Sequence, residues 1–97
     1  MKVQELLKHP KSWTQTCLAR DAFGRIVGPR SFEAKQWCLI GAVLRCYMNE
    51  SEMSRDERWD EIDLAVYQKH HMKAAAWNDA SDRTHAEVLA LVKELDI

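Results

Sequence analysis

Four histidines, three cysteines and a run of carboxylates are the residues of this chain suited to metal binding, nucleophilic attack or acid–base work. Their spacing argues against each. His70 and His71 are adjacent, so on a helix they point about 100° apart and do not face one metal. Paired helical zinc ligands stand four residues apart. His9 lies beside Pro10, His85 follows Thr84, and no two cysteines are separated by two to four residues, so neither a metal nor a cofactor is expected. Cys17 is the right type for a thiol nucleophile, but nothing near it in sequence is electropositive or poised as a base. Patterns of the GxSxG, P-loop, GxGxxG and HExxH kinds are absent. No catalytic residue is assigned, and the chain does not point to an enzyme. Asp56, Glu57, Asp60, Glu61 and Asp63 include i, i+3 and i+4 carboxylates that can pair or hold a cation, yet such a run reads first as a solvated helix face.

Trp77, Asn78, Asp79 and Arg83 are the candidate binding residues. An amide, a carboxylate and a guanidinium clustered before a helix can hold an anion or a polar ligand. The same types also serve structure, and that is the favoured reading. Asn78 would end the third helix, Asp79 would bond turn N–H groups, Arg83 would pair with Asp79 or Asp82, and Trp77 would plug the core.

The elements that must position these residues follow from periodicity. Val3, Leu6 and Leu7 are spaced i, i+3, i+4, a short helix stopped by His9-Pro10. Residues 13–28 read as a β-hairpin, with Trp13–Arg20 and Arg25–Val27 as strands and Asp21–Gly24 as a type I turn with a glycine bulge. Ser31 then caps a helix from Phe32 to about Met48, whose centre is apolar all round. Gly41 within it would let a neighbouring backbone approach, and Arg45 must reach solvent or a carboxylate. Ser54 and Glu57 have the spacing of a capping box for a third helix with Trp59, Ile62, Ala65 and Val66 inward, acidic at its start and basic at its end. Ala74–Trp77 leads into the turn-formers Asn78–Asp82. Thr84 and Glu87 cap a last helix with Val88, Leu91, Val92 and Leu95 on one stripe.

The expected fold is therefore α+β and predominantly helical: four helices with one two-stranded β-hairpin between the first and second, residues 1–97 forming a single globular domain. A chain of this length buries only about 60–65% of its unfolded surface, so its four tryptophans should matter for stability. Fourteen basic against fifteen acidic side chains leave a net charge of −1, which disfavours nucleic acid and anionic lipid as partners. An odd cysteine count, with Cys38 and Cys46 in an apolar segment, suits a reducing cytoplasm. Neither a secretory leader nor a membrane span is expected.

Leu6-Leu7, Trp13, Ala19-Arg20-Asp21 with Gly24, Trp37-Cys38-Leu39 with Gly41-Ala42, Trp77-Asn78-Asp79, and Arg83-Thr84 with Glu87-Val88 together resemble an uncharacterised family of small bacterial and phage domains. The resemblance covers nearly the whole chain but is thin from Asn49 to Lys73. It implies an accessory role and carries over no catalytic residue. The leading expectation is a small cytoplasmic protein-interaction module, encoded by a phage or mobile element, that binds and modulates a host or defence protein. The alternative is a small-molecule or nucleotide-binding protein with a polar pocket at Trp77, Asn78, Asp79 and Arg83. Nucleic-acid binding through Arg20, Arg25 and Arg30 is a third reading, and a homo-oligomer through Trp13 or Trp59 stays open.

Overall fold

The computed structural model describes residues 1–97. In chain order it forms α1 (Val3–Leu6), a 3-10 turn (Pro10–Ser12), β1 (Ala19–Arg20), β2 (Gln36–Trp37), α2 (Leu39–Cys46), α3 (Glu52–His70), α4 (Ala74–Asp79) and α5 (His85–Leu95). The α+β class and the sheet between α1 and α2 match expectation. There are five α-helices, however, and not four.

The extra helix arises where α3 ends. His71 turns into the left-handed region at φ 56° and closes α3, and Asp63 Oδ1 then accepts the free N–H of Ala74 at 2.8 Å. Ala74–Asp79 can thus start a new helix in a new direction, so Asn78 lies in the last turn of α4 and does not end α3. The start of α3 also differs from the expected Ser54 box. Ser51 is the N-cap, its Oγ accepting from the Ser54 N–H at 3.1 Å.

The sheet is antiparallel, with Ala19 opposite Trp37 and Arg20 opposite Gln36. The Asp21–Gly24 turn forms as expected: the Gly24 N–H donates to Asp21 O at 3.1 Å, and Gly24 sits at φ 80°. Arg25–Val27 shrinks to a single bridge, Ile26 opposite Arg20, plus a bond from Val27 N to Ala19 O. Gly28 and Pro29 follow at once, and proline has no N–H with which to prolong a ladder. The strand that fills the other edge of β1 comes from the segment expected to be helical.

That pairing shortens α2. Lys35 N bonds Arg20 O and Cys38 N bonds Leu18 O, so residues 35–38 are extended. Ser31 makes a local turn instead of a cap, its Oγ accepting from Glu33 N at 3.1 Å. The cap is Cys38, whose thiol sulfur accepts from Gly41 N at 3.3 Å. Although only Leu39–Cys46 is helical, α2 is still the central helix, touching α1, α3, α4 and β2. Gly41 is where Leu18, the residue before β1, crosses it: a Cβ built there would lie 1.9 Å from the carbonyl oxygen of Leu18. Arg45 finds no carboxylate. Its Nη1 donates to Ser31 O at 2.7 Å, and its guanidinium lies over Trp37, 5.6 Å from the ring centre.

α5 begins with the expected capping box. Thr84 Oγ1 accepts from Glu87 N, and Glu87 Oε1 accepts from Thr84 N at 3.0 Å. Its stripe of Val88, Leu91 and Val92 closes the core over Val3, Leu7, Leu39, Val43, Ile62, Val66 and Trp77. Each such buried side chain contributes about 1.5–3 kcal/mol. The chain ends meet, Gln4 N donating to Ile97 O at 3.1 Å, which gives the single-turn α1 its tertiary support. No helix is long and apolar enough to cross a membrane.

Candidate protein-interaction site

Trp77, Asn78, Asp79 and Arg83 are brought into one neighbourhood, and most of their polar groups face protein, although Asp79 is exposed. Asn78 is buried, and its amide is used on both sides. Oδ1 accepts from Trp13 Nε1 at 2.8 Å and from the Leu39 N–H at 3.2 Å, and Nδ2 donates to Asp79 Oδ1 at 2.9 Å and to Thr14 O at 3.4 Å. Leu39 opens α2, so Asn78 satisfies one of the free N–H groups of that helix from across the fold. Asp79 Oδ1 also accepts from Thr16 N at 2.9 Å, holding a β-branched residue at φ 69°. Gln15 adds two bonds, to the carbonyls of Asn78 and Ala80.

Arg83 donates from Nε to Trp77 O at 2.8 Å and from Nη1 to Glu87 at 2.8 Å, in place of the expected Asp79 or Asp82. Its guanidinium lies 4.4 Å from the centre of the buried Trp77 ring, on which His70 also stacks at 5.3 Å. Trp77 Nε1 has no hydrogen-bond partner. The four residues do not line one cavity. Asn78 and Asp79 border a cleft of about 230 Å³ with Thr16, Cys17, Cys38 and Ile40, whereas Trp77 borders a separate groove with Lys69, His70 and Glu94. Asn78 and Asp79 form a joint fastening residues 13–16 to α4 and to the start of α2.

Two of the three thiols are held in their neutral form. Burial pushes Cys38 and Cys46 each up to about 11, so neither is a thiolate near neutral pH. Cys17 donates weakly to Ala19 O at 3.6 Å. His85 Nε2 lies 2.6 Å from the carbonyl of Leu7, and no group of three His, Cys, Asp or Glu side chains is placed to hold a metal.

The surface that stands out was not among the expected binding residues. Phe23 and Phe32 are the only phenylalanines, and they are 82% and 85% exposed. They line one groove of about 330 Å³ with Ala22, Arg25, Glu33 and Lys35, while Ile26 nearby is 69% exposed. Phe32 was expected to open the central helix; the pairing of β2 with β1 leaves it on the loop instead. One signal was present in the sequence. Phe23 sits inside the Asp21–Gly24 turn, where no helical stripe or strand alternation carries it into a core.

This loop is held at both ends. Asp21, itself buried, accepts from the N–H groups of Phe23 and Arg25 at 2.9 Å each and from Arg25 Nε at 2.8 Å. Arg20 Nη1 bonds Gly24 O at 2.9 Å, and Trp37 Nε1 bonds Pro29 O at 3.0 Å. The two aromatic rings are therefore displayed from a fixed backbone. Burial acts to raise the Asp21 carboxyl, but the bonds from Arg25 and Phe23 outweigh it and hold the group below the usual carboxylate range. A lowered folded-state value means that Asp21 contributes stability in full above the ordinary range near pH 4, and loses it as pH falls through the folded-state value. Thermal melts should show Asp21→Ala clearly below wild type at pH 7, with the gap narrowing by pH 2–3. A gap that stays constant would mean that the charge plays no part.

No curated protein and no solved structure matches the chain. A family model does, across residues 1–95, and it describes a family of unknown function, DUF6197. With all but the last two residues matched, the chain belongs to that family.

Proposed function

We propose that this chain is a small cytoplasmic protein-interaction module that binds and modulates another protein through the Phe23–Phe32 groove. In keeping with the resemblance to small bacterial and phage domains, it is encoded by a phage or mobile element and its target is a host or defence protein. The single observation that supports this most is the exposure of both phenylalanines around one groove on a pinned loop. Large aromatic rings left in water are costly unless covered, and rigid display lowers the entropy cost of covering them.

Two of the three arginines in the nucleic-acid reading are engaged within the fold. Arg20 bonds Thr14 and Gly24, and Arg25 bonds Asp21, which favours a protein over a phosphate backbone as partner. The small-molecule alternative retreats to the cleft bordered by Asn78 and Asp79, because Trp77 and Arg83 lie outside it.

Affinity capture from native lysate, with wild type and Phe23→Ala/Phe32→Ala as parallel baits, tests the reading. A salt-resistant, near-stoichiometric protein should be held by wild type and reduced at least about tenfold on the variant, since removing a buried aromatic anchor typically costs more than 1.4 kcal/mol. Equal capture by the two baits would place the binding surface elsewhere.

A further inference from the structure

The chain carries a second exposed apolar surface of opposite charge. α3 buries Ile62 and Val66 on its inner side, yet its outer side is not simply polar: Met53 is 72% exposed, and Leu64 and Tyr67 are each 57% exposed. On a helical wheel these three fall on the outward face together with Glu57, Asp60 and Glu61. An ordinary solvated helix face would carry polar residues at Leu64 and Tyr67. The loop segment has the complementary character. Residues 20–35 hold four cations, Arg20, Arg25, Arg30 and Lys35, against Asp21 and Glu33; with Arg20 and Arg25 engaged within the loop, the exposed Arg30 and Lys35 outweigh Glu33 beside the groove. Lys35 lines the Phe23–Phe32 groove and makes no ion pair within the chain.

We propose that the chain binds a second copy of itself, the Leu64–Tyr67 face of α3 in one copy entering the Phe23–Phe32 groove of the other. Apolar anchors on a helix laid in an aromatic groove are a common recognition mode, and the acidic flank of α3 meets Lys35 and Arg30 across the contact. The groove, at about 330 Å³, takes the tip of an anchoring side chain or two. The contact joins two different patches, so each copy keeps a free groove or a free helix face unless two contacts close a ring. The inference uses the groove assigned above to partner binding, and self-association would then compete with partner capture.

Sedimentation of the purified chain from about 10 μM to about 1 mM tests it, a range set by the weak affinity of a small contact. Wild type should gain mass with concentration, and less so at about 0.5 M salt, where charge attraction is screened. Phe23→Ala/Phe32→Ala and Leu64→Ala/Tyr67→Ala should each stay monomeric while giving the wild-type circular dichroism spectrum, because all four side chains are exposed. An equimolar mixture of the two variants should form a heterodimer, one supplying the groove and the other the helix. A wild-type chain monomeric at about 1 mM, association that survives either variant, or a mixture that stays monomeric would each overturn the proposal. The first of these, combined with a captured partner that the phenylalanine variant loses, would leave the groove reading standing and remove only self-association.

Discussion

Asn78→Ala is expected to destabilise the fold by about 2–4 kcal/mol, the joint cost of one buried and one partly buried donor left without a partner and of the packing lost with the side chain. The donors are Trp13 Nε1 and the Leu39 N–H, both bonded to Asn78 Oδ1. Neither has another acceptor within the chain. Part of the cost should vanish in a Trp13→Phe background, which removes one donor beforehand, and a double-mutant cycle should return a coupling of about 1 kcal/mol. Urea titration of the four proteins measures this. A loss below about 1 kcal/mol for Asn78→Ala would mean that the joint relaxes around the gap and that Asn78 is free for another role.

Gly41→Ala is expected to cost at least about 3 kcal/mol, although alanine is the better helix former by about 1 kcal/mol. The new methyl would lie 1.9 Å from the Leu18 carbonyl oxygen, far inside contact distance, and the neighbour is backbone that cannot rotate away. Leu18 O is also the acceptor for Cys38 N, so moving it strains the step from β2 into the cap of α2. Relief requires α2 and the Leu18 backbone to separate along their crossing. A calorimetric Tm for Gly41→Ala within a few degrees of wild type would show that the Leu18 backbone does not lie against α2 as described.

Local chemistry carried much of the fold into the sequence. The Thr84–Glu87 box, the Asp21–Gly24 turn, the inner stripe of α3 and the close approach at Gly41 depend on residues within a few positions of each other, or on a single missing Cβ. What escaped depends on distant pairing. Whether residues 35–37 join the helix or a strand is decided by Ala19–Arg20 across the sheet, and nothing local in Phe32–Trp37 records that choice. The break at His71 escaped for a related reason: histidine is a poor signal for a left-handed cap, and Ala74 is freed by a carboxylate eleven residues earlier.

The polar cluster was legible in its chemistry, and its partners across the fold were not. Trp77, Asn78, Asp79 and Arg83 do form a polar cluster, but Trp13, Gln15, Thr16 and Leu39 consume most of its hydrogen-bonding capacity from far away in sequence. The groove was hidden by the same error that lengthened α2, since a Phe32 placed in a helix would have gone to the core.

The most direct test of the central claim, that the Phe23–Phe32 groove is where a partner protein sits, is site-specific photocrosslinking. A photoreactive phenylalanine analogue at position 32, the most exposed of the two phenylalanines, keeps the ring and reports what touches it in native lysate. A matched probe at Lys93, exposed on α5, controls for random collision. One discrete protein adduct is expected from position 32, absent from position 93 and competed away by excess unlabelled chain. No adduct, or the same adducts from both positions, would contradict it.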